Sequence, residues 1–172
     1  MVLNAFFKLA MFNRSMRSLA RDMGLNYTQT LVFRPPKVNG FYNGRDVVVD
    51  TFEKPGGGDR IRVRVFHSGE LSDEFTVGSK EFFEEESKGA AIPLESDNTG
   101  FTEGFRVSGG DRKLVRKFLD ADLQERIVSS GLSFMVGKYY VQHVSKDLTV
   151  DKDRIVRALD LLVEAASRAD TL

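Results

Sequence analysis

Two histidines, His67 and His143, are the only imidazoles in a chain of 172 residues that contains no cysteine. Thiolate nucleophiles, iron–sulfur clusters, disulfides and cysteine-ligated zinc are therefore excluded, and a histidine-rich metal site cannot be assembled. A Ser-His-Asp arrangement would have to use one of these two residues. His67 is followed by Ser68, but adjacent residues of a strand point to opposite faces, so they cannot converge as a nucleophile and its base. His143 closes an apolar run, where it reads either as a partly buried structural histidine or as a binding residue. With Tyr139 and nearby carboxylates it forms the candidate ligand site.

Other motifs carry less chemistry. Lys54-Pro55-Gly56-Gly57-Gly58-Asp59-Arg60 is glycine-rich, but it joins two strands and lacks the lysine–hydroxyl pair of a phosphate loop. Gly109-Gly110-Asp111 precedes a helix and reads as a turn followed by an N-cap. Glu84-Glu85-Glu86, with Asp97, is the carboxylate cluster; consecutive glutamates cannot all face one ion, and a solvated acidic face is expected. No catalytic set, metal or cofactor is expected. Arg60, Arg62 and Arg64, with Arg45, form a basic strand that Asp46 and Asp50 partly neutralise. No aromatic residue interleaves these arginines along the chain, and lysine plus arginine balance aspartate plus glutamate at 25 each. Nucleic-acid binding through this strand is therefore a minor alternative.

The feature that fits no catalytic scheme is the first helix, predicted over residues 3–23. Apolar residues recur at three- and four-residue spacing, and the opposite side carries Lys8, Arg14, Arg17 and Arg21 against one acid, Asp22. Phe6, Phe7, Met11 and Phe12 span more than a narrow stripe. Either the stripe packs on the chain's own sheet, or Phe6, Phe7, Met11, Phe12, Arg14 and Arg17 form an interface with a second copy, a protein partner or an anionic membrane surface. The leading expectation is a non-catalytic binding or assembly module that is homo-oligomeric, a dimer by preference. The alternative is an enzyme or small-ligand binder with a pocket near His143.

These features sit in a single domain over residues 1–172, long enough to bury a core without staples. No stretch approaches the ~18–20 apolar residues of a membrane span, and the arginines follow rather than precede the apolar opening. A cytoplasmic location, with the first helix reaching a membrane surface, is the corresponding expectation. Strands are expected over residues 37–42, 45–53, 60–68, 74–77 and 105–108, and Asn43-Gly44 is a strong hairpin turn. In the hairpin around positions 55–59, Asp50 is expected opposite Arg64, so that opposite charges meet on one face and β-branched residues on the other. Residues 80–88 read as a short helix or turn, and 111–129 as one helix. Residues 132–144 read as a hairpin turning at Gly137-Lys138, with Tyr139 and His143 on one face. A last helix is capped by Asp151 and runs to Ala169. The expected fold is α+β in two layers, an antiparallel sheet with helices on one face, in the order α-β-β-β-(β)-α-β-β-α.

Gly40-Phe41-Tyr42-Asn43-Gly44-Arg45-Asp46-Val47-Val48-Val49 resembles the Gly-x-Tyr-x-Gly-Arg-x-Val strand opening of a group of uncharacterised prokaryotic domains. In that group a segment like Phe101-Thr102-Glu103-Gly104-Phe105-Arg106-Val107 precedes a helix and a final hairpin. Here the acidic residue that should follow the first phenylalanine is displaced to Glu103. The similarity covers about residues 20–168 and implies a fold without an assigned activity. The element order also resembles the small secretion-chaperone-like folds, which are commonly dimeric.

Overall fold

The computed structural model describes residues 2–29, 35–54, 58–86, 91, 92, 94 and 96–172; within the helices and strands among these, the side chains of residues 2–8, Lys54 and Glu86 are not described. Among the described residues eight strands form one antiparallel sheet in the order β1-β2-β3-β4-β8-β7-β5-β6. They are β1 (Asn26–Thr28), β2 (Lys37–Tyr42), β3 (Arg45–Lys54), β4 (Gly58–Phe66), β5 (Phe75–Ser79), β6 (Phe105–Ser108), β7 (Phe134–Val136) and β8 (Tyr140–Val144). The helices are α1 (Val2–Asp22), α2 (Lys80–Glu86), α3 (Thr99–Gly104), α4 (Arg112–Phe118), α5 (Ala121–Ser130) and α6 (Lys152–Ala169). The α+β class and antiparallel sheet follow from the strand-rich sequence, and α3 is an element that the sequence did not suggest.

Alternation along the strands decides which face is covered. Val47, Val49, Ile61, Val63, Val65 and Val141 are buried and join one hydrophobic core with Leu159, Leu162 and Ala166 of α6. Helix α6 lies against β4 and β8, and α1 lies against β1 and β2. Not all helices share that face. Phe82 of α2 approaches Gly78 from the opposite side, where a Cβ on Gly78 would meet its ring at 2.6 Å. Gly78 shares the side of Thr76, which pairs with Met135, away from the core. At α2 an aromatic side chain thus reaches the other side of the sheet, into the notch that Gly78 leaves.

The β3–β4 hairpin pairs Asp50 with Arg62, and Val49 with Val63. The expected pairing of Asp50 with Arg64 is thus displaced by two residues. An even shift preserves the faces, so carboxylate and arginines still share one side. The longer strands explain the difference: Lys54 pairs with Gly58 and Glu53 with Asp59, which leaves only positions 55–57 to connect them. The Asn43-Gly44 turn is as expected, with both residues at positive φ (48° and 79°), the type I′ geometry that matches strand twist.

Two further expectations are corrected. The β7–β8 turn lies at Lys138-Tyr139, since Val136 pairs with Val141 and the Gly137 amide donates to the Tyr140 carbonyl at 2.8 Å. Gly137 does not take the positive φ that a type II′ turn demands at its first position. Instead the turn is held by the chain leaving β4: the His67 and Leu71 amides donate to the carbonyls of Tyr139 and Lys138 at 3.1 and 3.4 Å. The predicted helix over 111–129 is broken into α4 and α5. Asp120 accepts from the Leu123 amide at 2.9 Å as N-cap of α5, an interaction that competes with helix continuation for a short polar side chain.

Helix α6 is tied to the sheet at several points. The Tyr42 hydroxyl donates to Asp160 at 2.7 Å, and Lys152 pairs with Asp22 of α1 at 3.2 Å. Asp170, just past the helix, accepts from Arg45 at 2.6 Å, from the Ser68 amide and hydroxyl at 2.7 and 2.8 Å, and from the Gly69 amide at 3.1 Å. Burial pushes the Asp170 pKa up, but the hydrogen bonds from Arg45, Ser68 and Gly69 together outweigh it and hold it at about 2. A carboxyl depressed below its ordinary 3.8 stabilises the fold above that value, and the contribution is lost as pH falls toward 2. Asp170→Asn should therefore lower stability at neutral pH by about 1 kcal/mol after allowance for solvent screening, and have little effect at pH about 2. Urea unfolding at both pH values checks this; an equal loss at both would contradict it.

Candidate functional site

His143 is 7% exposed. Its Nδ1 lies 2.7 Å from the Ser133 carbonyl, and its Nε2 is buried with no hydrogen-bond partner among the described residues. Burial lowers its pKa, with the Ser133 carbonyl acting the other way and Arg154 adding to the lowering. A neutral ring donating from Nδ1 satisfies this geometry. The adjoining cavity, walled by Ile61, Val63, Arg154 and Ile155, has a volume of about 10 Å³, roughly the space of a single water. Tyr139 is 50% exposed at the turn, so the two residues expected to form a ligand site are not brought together. The turn shift accounts for this, because it removes Tyr139 from the strand face.

His67 and Ser68 also diverge. His67 Nε2 lies 3.0 Å from the Gly137 carbonyl, whereas the Ser68 hydroxyl donates to Asp170. Glu84 and Glu85 are exposed, and Glu85 pairs with Lys146 at 3.2 Å. Among the described residues no group of three or more histidine, aspartate or glutamate side chains could hold a metal ion. Gly109 and Gly110 both take positive φ, and Asp111 caps α4 by accepting from the Lys113 and Leu114 amides, as the sequence suggests. Of the glycine-rich loop, positions 55–57 lie outside the described residues, and Gly58 and Asp59 belong to β4.

The first helix divides in two. Met16, Leu19 and Ala20 are fully packed, Phe12 and Met23 lie against the core, and Arg17 sits 5.0 Å over the ring of Tyr27. The second half is thus bound to its own domain. Before it, Met11 is 55% exposed, as large an exposure as almost any apolar side chain here shows. The side chains of Phe6 and Phe7 lie outside the described residues, while Arg14 and Arg17 are exposed.

A second surface escapes the sequence. On the sheet side away from the core, Asp50 accepts two hydrogen bonds from Arg62, at 2.9 and 2.8 Å, and one from Arg64 at 2.7 Å. Arg62 lies 5.4 Å over the Phe52 ring and Arg64 5.9 Å over the Tyr140 ring. Phe66 meets Tyr140 edge-to-face at 6.1 Å, and Phe41, on the same side, is 70% exposed. The aromatic platform that does not interleave the arginines is supplied by the neighbours β2, β3 and β8 together with Phe66 at the end of β4. Only strand pairing could reveal it, since positions 41, 52, 66 and 140 show no common period.

No family model matches the sequence, and no curated protein matches it. Among solved structures, the crystal structure of the mycobacterial trehalose monomycolate transport factor A, TtfA, is similar with a TM-score of 0.63, at 13% sequence identity over 94% of this chain and 96% of that one. At that identity the likeness concerns the fold.

Proposed function

We propose that the chain is a non-catalytic binding or assembly module that engages its partner, a second copy in the first instance, through the first half of α1. The supporting observation is the division of that helix. Its second half is consumed by packing on β1 and β2, while Met11 stands 55% exposed, and every charged side chain from residue 2 to residue 21 is basic. An amphipathic helix presents its apolar side at low entropic cost, because the helix is already formed. The histidines add no competing chemistry, since one is buried against a carbonyl beside a water-sized void and the other anchors a turn. The fold is also similar to that of a protein described as a trehalose monomycolate transport factor.

Met11→Glu tests this reading without disturbing the core. A charge on an apolar contact should weaken self-association by about tenfold or more. Sedimentation velocity across a concentration series reads the effect; an unchanged association constant would remove α1 from the interface.

A further inference from the structure

We propose that the sheet face bearing Arg62 and Arg64 is a binding surface for single-stranded nucleic acid. The inference rests on that face and is independent of the role given to α1. Lys37, Arg60, Arg62 and Arg64 lie on it against two carboxylates, Asp46 and Asp50, as the strand registers require. Over β2 to β4 the surplus charge of this face is cationic although the chain as a whole is neutral; the glutamates of α2 lie farther across the sheet, beside β5. Each guanidinium offers five N–H donors. Asp50 takes two from Arg62 and one from Arg64. The carboxylate fixes both planes against the sheet and leaves donors for further acceptors.

What decides the class of ligand is the aromatic set beside these donors. Phe41, Asp46, Phe66 and Tyr140 follow one another across β2, β3, β4 and β8 as one row, next to the row that carries Arg64. At the Phe41 end of this row a shallow cleft of about 510 Å³ lies between Phe41, Asp46 and Phe66 and the chain around Arg45, Ser68 and Asp170. Flat π-faces next to fixed guanidiniums are the combination by which single strands are held without sequence preference: bases stack and phosphates take the cations. Asp46 repels phosphate from the aromatic row, so the backbone is expected over Arg62 and Arg64 and the bases over Phe41 and Phe66. An acidic peptide would use the arginines and leave the exposed Phe41 ring idle, which is why nucleic acid is the better fit. A duplex hides its base faces and could use only the charges.

The test is fluorescence anisotropy of the intact chain with a labelled oligothymidylate of about 15 nucleotides, within the range of single-strand site sizes, over a series of salt concentrations. Binding should weaken steeply with salt. Phe41→Ala should weaken it about tenfold, and because Phe41 is 70% exposed its removal leaves the core intact. Arg62→Gln should reduce the salt slope by about one. Absence of binding at low salt overturns the proposal. So does binding that is indifferent to Phe41→Ala, or a polyglutamate peptide or duplex of equal length that binds as tightly as the single strand.

Discussion

Phe118→Ala should lower the unfolding free energy by about 3–5 kcal/mol, the usual range for emptying a buried phenylalanine site. Phe118 is 0% exposed and meets Phe75 of β5 edge-to-face at 5.0 Å. It is the last residue of α4, so it pins the point where the chain stops being helical before Asp120 starts α5. Surrounding atoms have little freedom to collapse into the void, because Val115, Leu119 and Leu123 are also buried there. Phe118→Leu keeps most of the apolar volume and should lose about 1–1.5 kcal/mol. Urea unfolding of the two variants measures both numbers. A loss under about 1 kcal/mol for the alanine variant would mean that the ring is not packed between helix and sheet.

The second large effect concerns the arginine pair. Removing the carboxylate in Asp50→Ala leaves two guanidiniums side by side, each about one-fifth exposed (22% and 21%), with their shared acceptor gone. The expected loss is about 2–3 kcal/mol, less than for a fully buried pair because water still reaches the cluster. Register makes the prediction sharper. Asp50 lies directly opposite Arg62, which it binds through two bonds, and diagonal to Arg64, which it binds through one. Double-mutant cycles should therefore give a larger coupling for Asp50 with Arg62 than with Arg64. A larger coupling to Arg64 would restore the register in which those two residues face each other.

The sequence makes most elements legible, because alternation and glycine punctuation are local signals. Lys37–Tyr42 and Phe105–Ser108 appear in the structure with the expected bounds, and α6 starts after its Asp151 cap as the pattern requires. Errors arise where a tertiary contact decides. Pairing of opposite charges could not distinguish Asp50 opposite Arg64 from Asp50 opposite Arg62, since both put the same residues on the same face. The turn at Lys138-Tyr139 is chosen by the His67 segment, which is remote in sequence. Helix α3 is only six residues long and is capped by Asn98, too short to carry a periodic signal. The helix broken at Asp120 shows a cap residue winning against a continuous apolar stripe. The Asp170 node and the aromatic row were invisible for one reason: their members are spread across the chain and meet only through strand order.

We propose that α1 is half structural and half a contact surface. Native mass by light scattering, on the intact chain and on a chain beginning at Phe12, tests it most directly. The shortened chain keeps Phe12, Met16, Leu19 and Ala20, which reach the core among the described residues of α1, and should melt within a few degrees of the intact one. An associated species is expected for the intact chain and a monomer for the shortened one. A monomer in both cases, or an equally associated species in both, would contradict it.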